Sequence, residues 1–224
     1  MMRRLSFGLG LLGLLGWTTA CTTPCLPPDP ACPGPKTITQ SSPANVVKLL
    51  QESYKQRNPV NYAKLLASDF QFWFDPATRP GSVPEFWTRL QDSTGTANLF
   101  AAEDVSDIRI ELTYGSDVPD NTIGHDKWRK IRVTDTFLEV DKVPQSGEVI
   151  TLRVDGDVQD FYFRKGRTPG DTLASSPTAE LWYLVEWRDL ARLAAPGRLD
   201  ERGPAPAAVS KNLWGSLKEK YRTR

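Results

Sequence analysis

The sequence contains few of the residues that build metal sites and catalytic triads. Its 224 residues include one histidine, His125, and three cysteines, all within the first 32 positions. One histidine excludes a multi-histidine metal site and disfavours a Ser-His-Asp triad. Because His125 lies in a polar stretch, we interpret it as a solvated loop residue.

An excess of either charge sign is also missing. The chain has 28 Lys and Arg residues against 27 Asp and Glu residues, which gives a formal net charge of +1. Proteins that bind nucleic acid normally carry a clear basic excess, so nucleic acid is not an expected partner. The apolar run at residues 5–17 spans 13 positions, which is too short to cross a membrane as a helix.

Motifs for nucleotides and calcium are absent from the sequence. It has neither a G-x-G-x-x-G fingerprint nor a Walker loop. The acidic run DGDVQD at 155–160 lacks the order and the terminal glutamate of a calcium-binding loop, and we interpret it as a turn or a bulge. No metal and no cofactor are therefore expected.

The N-terminal segment has the order of a secretory signal. Arg3 and Arg4 precede the apolar residues 5–17, and three small residues ending at Ala20 follow. A basic, an apolar and a small-residue region in this order are typical of a signal peptide, which we predict over residues 1–20.

Cys21 follows directly, and this arrangement resembles a bacterial lipoprotein signal. The resemblance implies acylation of Cys21, a membrane partner through that anchor and a location in the cell envelope. Thr18 stands where that family usually has leucine, so ordinary cleavage after Ala20 stays open as an alternative. Thr22 stands where some sorting rules require aspartate, and by resemblance this favours the outer membrane.

A proline-rich spacer is predicted over residues 21–42. Six of the residues at 22–42 are proline, a composition that favours extended polyproline conformation and cannot build a core. Cys25 and Cys32 lie in the spacer, where they pair as a disulfide in an oxidising compartment or stay free.

Helical signals follow the spacer. Ser42-Pro43 and Asn58-Pro59 are each a capping residue followed by proline, so two helices are predicted to begin there. The spacing Ser82-x-x-Glu85 predicts a third helix that buries Phe86 and Trp87. Near the C-terminus, one helical face carries Leu213, Trp214, Leu217 and Tyr221, and the opposite face carries Lys211, Lys218, Lys220 and Arg222. We expect that helix to pack on the domain, with a membrane or partner contact as the alternative.

Alternating apolar residues predict strands through the second half of the chain. These strands cover residues 70–74, 108–114, 128–140, 149–154, 158–164 and 181–187. Asp155-Gly156 is either a hairpin turn or a bulge within one long strand. The polar loops at 115–126 and 165–180 are either lids or variable surface, and a helical pattern follows Asp189 as far as Ala195.

Two segments, YAKLLASDFQFWFD at 62–75 and ELWYLVEWRDL at 180–190, resemble the nuclear-transport-factor-two-like superfamily, which includes the ketosteroid isomerases. The second ends with the Trp182, Trp187 and Asp189 pattern seen in that superfamily. The resemblance implies an α+β domain at 43–195, with helices in the concave face of a strongly curved antiparallel sheet that forms a cone. An irregular wrap and the C-terminal helix occupy 196–224.

The cone is expected to hold a pocket at its open end. Its predicted lining is Tyr54, Phe72, Phe74, Tyr114, Val133, Phe137, Tyr183 and Trp187. Asp135 shares strand parity with Val133 and Phe137, and Glu186 shares parity with Leu184. Both are therefore candidates for a buried general base, although a structural ion pair, such as Asp135 with Arg153, is the expected alternative.

Three functions remain from the sequence. The first is a membrane-tethered envelope lipoprotein with a non-catalytic domain that binds an apolar small molecule or another envelope protein. The second is an isomerase or cyclase with Asp135 as general base. The third is an assembly partner that forms a homodimer through the outer face of the sheet.

Overall fold

Two short helices begin at the predicted positions. α1 spans Pro43–Lys55 and α2 spans Pro59–Leu65. The side chain of Ser42 accepts a hydrogen bond from the amide of Asn45, and Asn58 caps α2 in the same way through the amide of Asn61. In both helices the proline at the first position has no amide to leave unpaired, which explains why the chain turns helical there.

The computed structural model describes residues 38–77, 79, 81, 83–143, 147, 149–155, 157–169, 180–190, 210–211 and 214–222. The described residues, from Ile38 onward, belong to one compact unit. The predicted signal peptide, the cysteines Cys21, Cys25 and Cys32, and the irregular wrap at 196–208 lie outside the described residues. No helix among those described is long and apolar enough to cross a membrane.

The third helix begins later than predicted. α3 spans Arg89–Ala101, and Thr88 and Gln91 form its capping box. The predicted start near Ser82, which lies outside the described residues, is wrong because Phe86–Thr88 is a strand. That strand pairs with the segment after α2 and buries Trp87 beside Phe72, so packing decides against the local helical signal.

Nine strands among the described residues form one curled sheet. They are β1 (Leu66–Trp73), β2 (Phe86–Thr88), β3 (Val105–Tyr114), β4 (Val118–Pro119), β5 (Arg129–Lys142), β6 (Ile150–Asp155), β7 (Val158–Lys165), β8 (Trp182–Leu190) and β9 (Ser210–Lys211). The main path runs β2-β1-β8-β7-β5-β6-β9, with β3 and β4 on the other edge of β5. Along this path the sheet curls into a half-barrel, and α1, α2 and α3 pack on its concave face.

The α+β cone is confirmed, with the correction that its sheet is mixed rather than antiparallel. β1 runs parallel to β8, and β6 runs parallel to β9, while the other pairs are antiparallel. Because β1 and β8 are joined through most of the domain rather than through a hairpin, nothing in the connection forces them to run in opposite directions. β8 also extends to Leu190, so the predicted helical pattern after Asp189 begins as strand, and its remainder lies outside the described residues.

β6 and β7 are two parts of one long strand, on either side of the predicted turn or bulge. β6 and β7 both pair antiparallel with the same edge of β5, one with Phe137–Lys142 and the other with Arg129–Val133. The hairpin alternative is therefore wrong, because β6 and β7 follow one another along β5 instead of lying side by side.

The C-terminal helix α4 (Trp214–Glu219) lies inside the half-barrel. Trp214, Leu217 and the following Tyr221 are each at most 1% exposed and belong to the main core. The prediction that this helix packs on the domain is confirmed.

Candidate functional site: the interior of the cone

Most of the predicted pocket-lining residues face the interior. Tyr54, Phe72, Phe74, Val133 and Trp187 are buried in the main core, and Tyr114 lies half-buried at its edge. Aromatic rings contact one another throughout, with the Phe72 and Trp187 centroids 5.4 Å apart. These side chains pack against one another and do not line an open cavity in the described part of the chain.

Asp135 and Phe137 lie on the outer face of the sheet, so their predicted orientation is wrong. The pairing of β3 with β5 skips Thr134, because Thr113 pairs with Asp135 while Tyr114 pairs with Val133. This irregularity shifts the alternation by one residue. Asp135 is therefore exposed, and Phe137 contacts the guanidinium of Arg153 instead of the core.

A second irregularity moves Glu186 and Tyr183 to the outer face. Tyr162 pairs with Glu186, whereas Phe163 pairs with Leu184, so the parity of β8 changes near Val185. Glu186 accepts hydrogen bonds from the Arg188 side chain. Tyr183 packs with Ala67 and Val185 in a separate small cluster.

The space that the resemblance assigns to a pocket is filled by α4. Trp214 is fully buried, with its ring 4.8 Å from Trp187 and 5.3 Å from Tyr54. Gly215 lies against Phe74 so closely that a Cβ placed on it would be 2.5 Å from the Phe74 ring. Only glycine fits at this position, which shows how tightly α4 sits in the interior.

A buried ion pair joins α4 to α3. The Lys218 ammonium, with a side chain 2% exposed, pairs with the fully buried Asp92 carboxylate. Lys218 also donates to the Tyr62 hydroxyl at 3.2 Å, and that hydroxyl donates to Asp92 at 2.5 Å. Burial, with the Asp92 charge adding to it, raises the pKa of Tyr62 well above its usual value and keeps the hydroxyl protonated.

Aromatic rings surround the same ammonium group. Lys218 Nζ lies 4.4 Å from the Trp187 centroid, 4.5 Å from that of Phe72 and 5.6 Å from that of Tyr62. Each distance is within the range at which a cation is attracted to the face of an aromatic ring. We call the four residues Asp92, Tyr62, Phe72 and Trp187 the ammonium box.

Two further carboxylates hold the first residues of α4. Asp189 accepts a hydrogen bond from the Gly215 amide at 3.2 Å, and Asp157 accepts one from the Trp214 amide. Burial raises the pKa of Asp189 to about 7 and that of Asp157 to about 6, and each carboxylate's neighbours add to the rise. Among the described residues, no group of His, Cys, Asp and Glu has the arrangement of a metal site.

The ion pair was missed by the sequence analysis, which placed Lys218 on the outer face of its helix. A single lysine beside apolar residues normally extends to solvent, and the partner Asp92 is 126 positions away. No local pattern links the two residues. The apolar residues Trp214, Leu217 and Tyr221 predict that one face of the helix is buried. They do not predict that Lys218 is buried with them.

His125 and a shallow cavity lie outside the cone. His125 is half-buried rather than solvated, because it pairs with Asp120 and stacks on Trp128 with a centroid distance of 3.9 Å. A shallow cavity of about 490 Å³ lies between α2 and α3, where Val60 and Arg89 help to line it. None of the described core side chains reaches this cavity.

Several solved structures are similar to the described fold at low sequence identity. One is a conserved protein from Planctomyces limnophilus, with 16% identity, a TM-score of 0.45, and coverage of 66% of this chain and 92% of that one. Another is a nuclear transport factor 2 (NTF2-like) superfamily protein from Salmonella enterica, with 10% identity, a TM-score of 0.42, and coverage of 69% and 91%. A protein with a ketosteroid isomerase-like fold from Catenulispora acidiphila has 11% identity, a TM-score of 0.36, and coverage of 66% and 85%. These similarities concern the fold alone.

No family model matches the sequence of the chain, and no curated protein matches it.

Proposed function

We propose that the chain is a membrane-tethered envelope lipoprotein whose cone is a non-catalytic binding domain for an apolar small molecule. The observation that carries this proposal is the occupation of the cone by α4. Trp214 and Leu217 are apolar groups seated where the superfamily resemblance implies a ligand, so this space accepts apolar groups.

The interior carboxyl groups support a binding role over catalysis. Asp92 is engaged by Lys218 and Tyr62, and Asp189 is engaged by the first turn of α4. A general base needs access to the proton that it removes, and neither carboxylate faces an open cavity in the described part of the chain. The isomerase alternative has less support, because Asp135 is exposed on the outer face.

The binding proposal is tested by displacing α4 with a minimal substitution. Gly215→Ala places a Cβ against Phe74 and forces α4 away, whereas Gly115→Ala adds a methyl group where no atom lies within 4 Å. The probe is the neutral apolar fluorophore N-phenyl-1-naphthylamine, titrated into both full-length variants and the unchanged protein.

We expect Gly215→Ala to bind the probe at least tenfold more tightly than the other two forms, with native circular dichroism in all three. Equal binding by the three forms, or no saturable binding by Gly215→Ala, contradicts the proposal. Binding with lost circular dichroism also counts against it, because unfolded chains bind such probes without a defined site.

The tether is tested separately at Cys21. The Cys21→Ser chain is expected to leave the membrane fraction, and mass spectrometry is expected to find acyl chains only on the unchanged protein. Cys25→Ser is the matched control and is expected to stay in the membrane fraction. Membrane retention of Cys21→Ser would refute the lipid anchor without affecting the binding proposal.

A further inference from the structure

The ammonium box is built by the cone, and only its cation comes from α4. Asp92 belongs to α3, Tyr62 to α2, Phe72 to β1 and Trp187 to β8. All four residues are fully buried. The carboxylate, the tyrosine hydroxyl and the two ring faces of the box therefore all come from elements other than α4.

Aromatic rings complete the surroundings of the Lys218 ammonium. Tyr62 and Asp92 accept two of its three N–H donors. The rings of Phe72 and Trp187 add two close cation–π contacts at 4.5 and 4.4 Å. A carboxylate within an aromatic cage is the arrangement by which proteins recognise organic ammonium groups.

Removal of α4 would leave the box with a buried carboxylate and no counter-ion. An unpaired buried charge is strongly unfavourable, so the vacated box favours any cation that fits it. The group it now holds is a primary ammonium on an unbranched carbon stem. Beside it, Trp214 and Leu217 fill apolar space that would also be vacated.

From this geometry we infer that the box is a binding site for an organic ammonium ion with an apolar body, and that Lys218 and α4 occupy this site in place of that ligand. The inference rests on the proposed binding function and adds to it the chemistry of the head group. The charged head would lie between Asp92 and Trp187, and the apolar body would replace Trp214 and Leu217.

The test vacates the box while keeping the full chain. In Lys218→Ala the ammonium group and the three carbons Cγ, Cδ and Cε are removed, and the probe n-propylammonium chloride replaces these atoms. We expect it to raise the melting temperature of Lys218→Ala with saturable dependence on concentration, because a ligand that binds only the folded state stabilises it. In the unchanged protein Lys218 and α4 compete with the probe for the box, so the same rise is expected only at concentrations at least tenfold higher.

Two controls separate recognition of charge from simple filling of space. n-Propanol has the same number of non-hydrogen atoms without the charge, and we expect at least tenfold weaker binding of it to Lys218→Ala. The double variant Lys218→Ala with Asp92→Asn lacks the carboxylate, and its preference for propylammonium is expected to disappear. Equal stabilisation by the amine and the alcohol, or a preference that survives Asp92→Asn, overturns the inference.

The test remains decisive if Lys218→Ala is unfolded without ligand. The same comparison is then made on the recovery of native circular dichroism, where propylammonium is expected to restore the fold and propanol is not. Failure of both to restore it overturns the inference. The Gly215→Ala titration with the neutral fluorophore is independent of the head group, so success there with failure here refutes the ammonium site alone.

Discussion

The Asp189 carboxylate accepts a hydrogen bond from the Gly215 amide at 3.2 Å, so a buried acid on β8 holds the first turn of α4. Its pKa of about 7 results first from burial and second from the nearby Asp157 charge. Asp75 acts in the same direction, whereas the Lys218 charge opposes the rise. The Asp189 carboxyl group is therefore protonated in the folded state at mildly acidic pH, so the stability of the domain depends on pH.

Stability is expected to fall as the pH rises from about 5 to about 8. Up to about pH 7 the folded state retains a proton on Asp189 that the unfolded chain, with an ordinary aspartate pKa of 3.8, has already released, and above that pH the loss levels off. Each pKa unit is worth about 1.4 kcal/mol, so Asp189 alone contributes a loss of roughly 2–3 kcal/mol across the range. Chemical denaturation at pH 5 and pH 8 measures this loss.

The variant Asp189→Asn is expected to flatten that pH dependence, since its amide oxygen still accepts from Gly215 but does not titrate. Asp126→Asn, a change in an exposed loop, is the matched control and should keep the dependence of the unchanged protein. A slope that survives Asp189→Asn undiminished would place its origin elsewhere, with Asp157 as the next residue to test.

Arg57, in the connection between α1 and α2, is expected to contribute strongly to the stability of the folded domain. Its guanidinium donates to the carbonyl oxygens of Phe100, Ala102 and Val105, which joins the α1–α2 connection to the end of α3. Charged hydrogen bonds to partly buried groups contribute about 1.5–3 kcal/mol, so Arg57→Ala is expected to cost roughly 2–3 kcal/mol in urea unfolding. Lys55→Ala, at an exposed position nearby, should leave the midpoint unchanged.

The capping box of α3 provides a local test of the corrected helix start. Thr88→Ala removes the side chain that accepts from the Gln91 amide, and it is expected to cost about 1 kcal/mol. Thr94→Ala, an exposed threonine within the same helix, is expected to be neutral or slightly stabilising because alanine has the higher helix propensity. A neutral Thr88→Ala would contradict this helix start.

The same chemical change at Asp92 and at Asp135 is expected to have very different effects on stability. Asp92→Asn leaves the buried Lys218 ammonium without its counter-charge, and breaking a buried ion pair in this way costs about 3–5 kcal/mol. Asp135→Asn alters an exposed side chain and should leave the unfolding midpoint unchanged. If the two variants lose similar stability, the placement of these residues is wrong.

The local features of the fold were predictable where one residue type has one physical role. Ser42 and Asn58 begin helices because their side chains accept from free amides, and alternation in β3 follows from burial of one sheet face. The misplaced third helix shows the limit of such signals. Trp87 gains more from pairing beside Phe72 than the local capping signature offers.

The site was less predictable because strand parity fails at bulges. One unpaired residue near Thr134 and another near Val185 turned Asp135, Phe137, Tyr183 and Glu186 to the outer face. Nothing in the alternation of apolar residues marks either position. The Lys218–Asp92 pair was hidden for a different reason, because long-range partners are set by tertiary packing and leave no trace in local spacing.

The position of α4 also constrains how the domain is made. Its buried side chains follow α1, α2, α3 and β8 in the sequence, yet they contact all four elements. Until the ribosome has synthesised α4, Tyr54 and Trp187 lack the neighbour that covers them. A chain truncated before Trp214 would thus have exposed aromatic surface, and such surface is prone to aggregation and proteolysis.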